Sequence, residues 1–170
     1  KDCNIDFVYV GEDITGIVKS VSVNNETVTN FNDENFTVKA GKTMYITFDA
    51  QTYKLDALKI NDESVYASTS YQFVVKDDTK IEITAHRYAE LTAKLTVDNA
   101  ANITVAKGYS YSTDYITIAD GENEIKVSEA APQIYIMAVS GANIKKVVAG
   151  GAEVYQDYGG GYSVTITDGM

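Results

Sequence analysis

The residues equipped for covalent chemistry are few: one histidine, His86, and one cysteine, Cys3. Nucleophilic catalysis needs a nucleophile, a base and a group that orients the base. His86 closes a strand-like run and reads as a surface residue, while Cys3 sits close to a terminus expected to fray. Paired carboxylates could serve glycoside hydrolysis. The acidic residues here fall in turns, Asp77-Asp78 and "DGENE" at 120–124 among them, where solvated Asp and Glu have a local backbone role. The chain therefore reads as a non-enzyme. A single cysteine also excludes an intrachain disulfide and a cysteine-based metal site.

Two kinds of ligand chemistry remain. Acidic turns offer carboxylate and carbonyl oxygens suited to Ca²⁺, and the best candidates are Asp120, Glu122 and Asn123 of "DGEN", with "NDEN" at 32–35 second. Neither has the spacing of an EF-hand loop. The other chemistry is aromatic. Thirteen tyrosines and no tryptophan are present. "GYSYSTDY" carries Tyr109 and Tyr111, expected on one strand face, with Tyr115 nearby; "YQDYGGGY" gathers Tyr155, Tyr158 and Tyr162 around a glycine run expected to be flexible. Rings presented from β-loops can stack on sugar faces, with the hydroxyl as a polar handle. The same spacing also suits cross-strand aromatic packing.

Charge removes other partners. The net charge is −10, with acidic residues spread along both halves. Phosphate backbones need a basic stripe, and the adjacent basic pairs, His86-Arg87 and Lys145-Lys146, are too small for one. No nucleic-acid partner is expected, and no membrane insertion, since no apolar run approaches the length of a span.

The elements that must carry these residues are strands. Val, Ile, Thr and Tyr are abundant and only one proline occurs, a composition that favours pleated surfaces. Seventeen strand-like stretches follow one another, and none has helical periodicity. Within them a motif recurs: "VSVNNETV" at 21–28, "LKINDESV" at 58–65 and "VVAGGAEV" at 147–154. Each has two alternating apolar residues, a two-residue turn and a Val three positions beyond it. Asn24-Asn25, Asn61-Asp62 and Gly150-Gly151 are residue types that tolerate positive φ at both centres of a type I′ turn. A further strand follows each hairpin. In the first two copies another turn, Ala40-Gly41 or Asp77-Asp78, leads to one more strand; the third copy stops at Asp168-Gly169-Met170. The repeat thus predicts a last strand supplied by continuation of the same polypeptide or by a neighbouring chain.

The expected fold class is all-β: tandem small antiparallel β-sandwich or β-repeat domains built from hairpin units. Residues 1–86 form the first, with two overlapping hairpin repeats. Residues 87–170 form the second, with a divergent third repeat truncated at its C-terminal end.

The stretch from Gly41 to Ala85 resembles the divergent internalin-B-type repeats, the Listeria–Bacteroides repeats of bacterial surface proteins. The matching positions include Gly41, Ile46, Tyr53, Leu55, Ile60-Asn61-Asp62, Val65, Tyr71, Phe73, Val75, Asp77 and Ile81. The tryptophan frequent in that family before the turn is absent. Residues 121–170 look like a more distant copy, with "GENEIKV" aligned to "GKTMYIT", and residues 86–120 fall outside the resemblance. It implies a β-rich module of a secreted, cell-surface bacterial protein, a stalk or an adhesive element with a protein or glycan surface ligand. Two alternatives stand beside it: a carbohydrate-binding module using the tyrosine clusters, and a phage virion-surface or fibre domain.

Overall fold

The computed structural model describes residues 1–170, and the chain divides into two compact units, Lys1–Tyr88 and Ala89–Met170. The first contains β1 (Asp2–Val10), β2 (Val18–Val23), β3 (Glu26–Val28), β4 (Thr37–Lys39), β5 (Thr43–Phe48), β6 (Tyr53–Ile60), β7 (Glu63–Val65), β8 (Ser70–Val74) and β9 (Thr79–Arg87). These form a five-stranded sheet, β4-β1-β9-β6-β7, and a four-stranded sheet, β3-β2-β5-β8. One hydrophobic cluster draws Ile5, Leu58, Ile81 and Ile83 from the first sheet and Val21, Met44 and Ile46 from the second, so the unit is a sandwich. Burying each of these large side chains contributes about 1.5–3 kcal/mol.

All three repeated hairpins have the expected backbone. Asn24 and Asn25 have φ of 49° and 68°, Asn61 and Asp62 48° and 66°, and Gly150 and Gly151 55° and 80°. Their registers coincide: Val21 faces Val28, Leu58 faces Val65 and Val147 faces Val154. A bulge recurs as well, with Lys19 the extra residue between Val18 and Ser20 and Asp56 between Leu55 and Ala57.

The second unit contains β10 (Glu90–Val97), β11 (Ile103–Lys107), β12 (Tyr115–Ile116), β13 (Gly121–Ser128), β14 (Gln133–Ala138), β15 (Val147–Ala149), β16 (Ala152–Val154) and β17 (Tyr162–Thr165). Its sheets are β12-β11-β14-β17, β10-β13 and β15-β16. Each strand holds the sheet position of the strand nine places earlier. The four-stranded sheets correspond throughout, while β13-β10 and β15-β16 match β4-β1 and β6-β7. The register agrees too: Val21 opposite Ile46 matches Val105 opposite Ile136, and Met44 opposite Phe73 matches Ile134 opposite Val164. The chain is thus a structural duplication.

Several expectations need correction. The strands joined by Ala40-Gly41 and by Asp77-Asp78 do not pair with each other: β4 and β5, and likewise β8 and β9, belong to different sheets. Alternation fixes which face of a strand is buried but not which strand it joins. "GENEIKV" is β13, the counterpart of β4, whereas "GKTMYIT" is β5. Residues 90–116, outside the resemblance, supply the counterparts of β1, β2 and β3. The pairing is not wholly antiparallel: β1 and β9 run parallel from Ile5–Thr79 to Val10–Thr84. Cys3 is not frayed; it pairs with Val38 and is fully buried, its thiol 3.7 Å from the Lys76 carbonyl oxygen.

Candidate functional site

Of the tyrosines expected to bind a ligand, Tyr115 lies on the outer face of the β12-β11-β14-β17 sheet. Along β14, Ile134 and Ile136 point into the core cluster, so Tyr135 between them points outward. It is flanked by Ala106 and Ser163, and Ala106 in turn by Tyr115. The row Tyr115–Ala106–Tyr135–Ser163 therefore crosses all four strands, with the small Ala106 between two tyrosines.

Tyr135 is nevertheless buried, because the glycine run lies over it. Its hydroxyl donates to Asp157 Oδ1 at 3.0 Å, and the same oxygen accepts the Gly159 and Gly161 amides at 2.8 and 3.2 Å. The Asp157 amide donates to the Gly161 carbonyl at 2.8 Å, and Gln156 Nε2 to the Gly160 carbonyl at 2.6 Å. The run expected to be flexible is thus a closed loop around one carboxylate oxygen. Gly161 approaches the ring where no side chain fits. Burial, followed by the Asp157 hydrogen bond and charge, raises the Tyr135 phenol above its ordinary pKa. Tyr45 holds the matching position in the first unit and is partly exposed, beside a shallow opening lined with Asn24, Thr43 and Gln72.

The predicted tyrosines divide by environment. Tyr158, at the tip of the glycine loop, is fully exposed; Tyr109, Tyr111, Tyr115 and Tyr155 are also exposed. Tyr109 and Tyr111 lie in a turn closed by the Ser112 amide on the Tyr109 carbonyl, not on a strand face. Tyr162 is a correction: it is 8% exposed, belongs to the core and cannot present a ring to a ligand. Sequence reasoning missed Tyr135. Its signal lay in "QIYIM", where every residue is apolar or aromatic except the first, so both faces of that strand had to be covered.

The predicted calcium ligands hold protein groups. Asp120 Oδ1 accepts the Ala100 amide at 2.6 Å. Asn123 Oδ1 accepts the Ala119 amide, while its Nδ2 lies within hydrogen-bond reach of the Leu95, Ala119 and Gly121 carbonyls. Glu122 pairs with Lys94 at 2.9 Å. In the second candidate, Asn32 accepts the Tyr9 hydroxyl at 2.6 Å and Asn35 adopts φ 65°. Asp120 and Asn123 thus bind the backbone of neighbouring loops, and Glu122 forms a cross-strand ion pair; no group of three or more His, Cys, Asp or Glu side chains gathers in a metal-holding arrangement.

His86 has a specific partner in Asp56. Nδ1 and Oδ2 are 2.6 Å apart, both side chains partly exposed. The bulge that makes Asp56 the extra residue of β6 aims it at His86. No helix is long and apolar enough to cross a membrane. No protein-family model, curated protein or solved structure matches this chain.

Proposed function

We propose that the chain is a non-enzymatic tandem β-sandwich module of a secreted bacterial surface protein, acting as a stalk or adhesive element. The observation that carries this reading is the duplication: one strand order built twice in series, with eight corresponding strands and matching register. Repetition of a folded unit extends a chain without requiring any one unit to hold a reaction site. The resemblance of Gly41–Ala85 to surface-protein repeats supports the same assignment, as does a net charge of −10, which disfavours nucleic-acid partners. Protease shaving of intact producing cells tests it. Release of peptides from both units is expected; their recovery only after lysis would overturn surface placement.

A second reading, carbohydrate binding, is favoured by the exposed Tyr158 on the loop that covers Tyr135 and by the exposed Tyr111 and Tyr115 of the same unit. Tyrosine presents a flat apolar ring and a hydroxyl together, and the pinned loop restricts the freedom that binding would otherwise remove. A glycan array with the native chain and a Tyr111→Ala/Tyr158→Ala double variant tests this reading. A glycan held by the native chain and lost by the variant supports it; no retained glycan, or equal retention by both, defeats it.

A further inference from the structure

The duplication leaves one position unfilled. In the first unit β9 lies between β1 and β6, and it buries Thr79, Ile81, Ile83 and Ala85 on its inward face. The counterparts of its neighbours in the second unit are β10 and β15. Each has one sheet partner, β13 and β16 respectively, so each leaves a strand edge that no other strand pairs.

Two cavities lie between them, with Met170 in the wall of the first. One cavity of about 270 Å³ is lined by Ala93 and Leu95 of β10, Val147 and Ala149 of β15, and the core residues Ile134 and Val164. A second, about 390 Å³, continues from Val97 and Asn99 to Ile144 and Lys146. Both are bounded by β10 and β15, the counterparts of the strands that enclose β9 in the first unit, and the first opens onto the apolar core.

We infer that the gap between β10 and β15 is a strand-acceptor site, filled by an extended segment joined to Met170 that runs parallel to β10 and antiparallel to β15. Its chemistry follows from β9: β-branched apolar residues at its first and third positions, a small residue at its fifth and polar residues between. Such a strand would add backbone hydrogen bonds on both sides and fill the apolar floor, the logic of strand addition to an exposed edge.

The source is selected by the residues at the entrance. Asp78 Oδ1 accepts the Asn4 amide at 2.8 Å just before β9 begins; Asp168 Oδ1 accepts the Thr92 amide at 3.2 Å. Gly169 donates to the Thr92 carbonyl at 2.9 Å, and Lys94 donates to the Met170 carbonyl at 2.7 Å. The Met170 side chain reaches across toward Gly150, beside β15. Residues 168–170 thus stand at the mouth of the gap, in contact with both walls. A strand from a separate chain would have to begin against Met170.

The test is to append Ile-Glu-Ile-Thr-Ala-His-Arg, the sequence of Ile81–Arg87, directly after Met170. Backbone amide exchange at Val147–Ala149 of β15 and at Thr96 of β10, together with thermal unfolding, is compared with the 170-residue chain. At least tenfold slower exchange on both strands and a higher Tm are expected. The same extension with both isoleucines replaced by Asp should give neither. Unchanged exchange, or equal protection by both extensions, would overturn the acceptor site. Protection by the free heptapeptide that exceeds protection by the joined segment would overturn the source and assign the strand to another chain.

Discussion

Tyr135 Cζ lies 2.4 Å from the position a Cβ would occupy on Gly161. The ring is buried and its hydroxyl is tied to Asp157, so the ring cannot swing clear without breaking that bond. Gly161→Ala should therefore destabilise the second unit by about 1–3 kcal/mol, the usual cost of overpacking a filled site. Denaturant unfolding read from amide exchange in residues 89–170 measures it. In a Tyr135→Leu background most of the penalty should vanish; an undiminished penalty would mean that the ring is not the obstacle.

Asn61 combines two roles. Its backbone holds φ 48°, and its side chain accepts the Lys80 amide at 2.7 Å and donates to the Asp78 carbonyl at 3.3 Å. Asn61→Ala should cost about 1–3 kcal/mol, from left-handed strain and a lost hydrogen bond together. Asn61→Gly removes only the second contribution and should cost less. Asn24, whose Oδ1 accepts the Thr43 amide at 2.9 Å, should follow the same order. Equilibrium unfolding of the four variants checks both; an Ala variant as stable as native would refute the turn assignment.

Ile83 lies at the centre of β9, fully buried and paired with Tyr9 on one side and Leu58 on the other. Truncation to Ala should cost about 2–5 kcal/mol through lost transfer energy and a residual cavity. Val148, an exposed residue on β15, should tolerate Ala to within about 0.5 kcal/mol. Urea midpoints for the two variants, with unchanged slopes, test the contrast.

The Lys1 side chain stands 2.8 Å from Asp77 and the Lys80 side chain 2.7 Å from Asp62. In each case the hydrogen bond, then the charge, holds the carboxyl below its ordinary pKa of 3.8. A depressed folded-state value stabilises the fold above the unfolded pKa, and that contribution disappears as pH falls through the folded value. Carboxyl-carbon NMR should show both groups titrating below 3.8, and Lys80→Met should return Asp62 toward it. Titration of Asp62 at or above 3.8 in the native chain would contradict the pairing. Both pairs are exposed, so the effect on global stability should be small.

The hairpins were legible because positive φ at two successive residues restricts the turn to Asn, Asp and Gly, a demand written in the local sequence. Strand positions were legible because Met44, Ile46 and Phe48, like Ile81, Ile83 and Ala85, alternate with outward residues. Sheet membership was not. Nothing in "VVKDDTKI" separates a tight hairpin from a crossing between sheets, since both need polar turn residues between alternating runs. The tyrosines show the same limit. Tyr158 and Tyr162 share one cluster in the sequence, yet one is at a loop tip and the other in the core. Coverage by distant segments decides exposure, and spacing along the chain does not encode that coverage.

The parallel alignment of β1 with β9 has a mechanical consequence. Tension applied between Lys1 and Tyr88 pulls these adjacent strands lengthwise in opposite directions, so the rungs from Ile5–Thr79 to Val10–Thr84 are loaded in shear together instead of peeling one after another. Residues 89–170 include no counterpart of β9 to share such a load. Stretched from both ends, the 170-residue chain should yield first between Ala89 and Met170, and force spectroscopy would register that as the earlier and lower rupture.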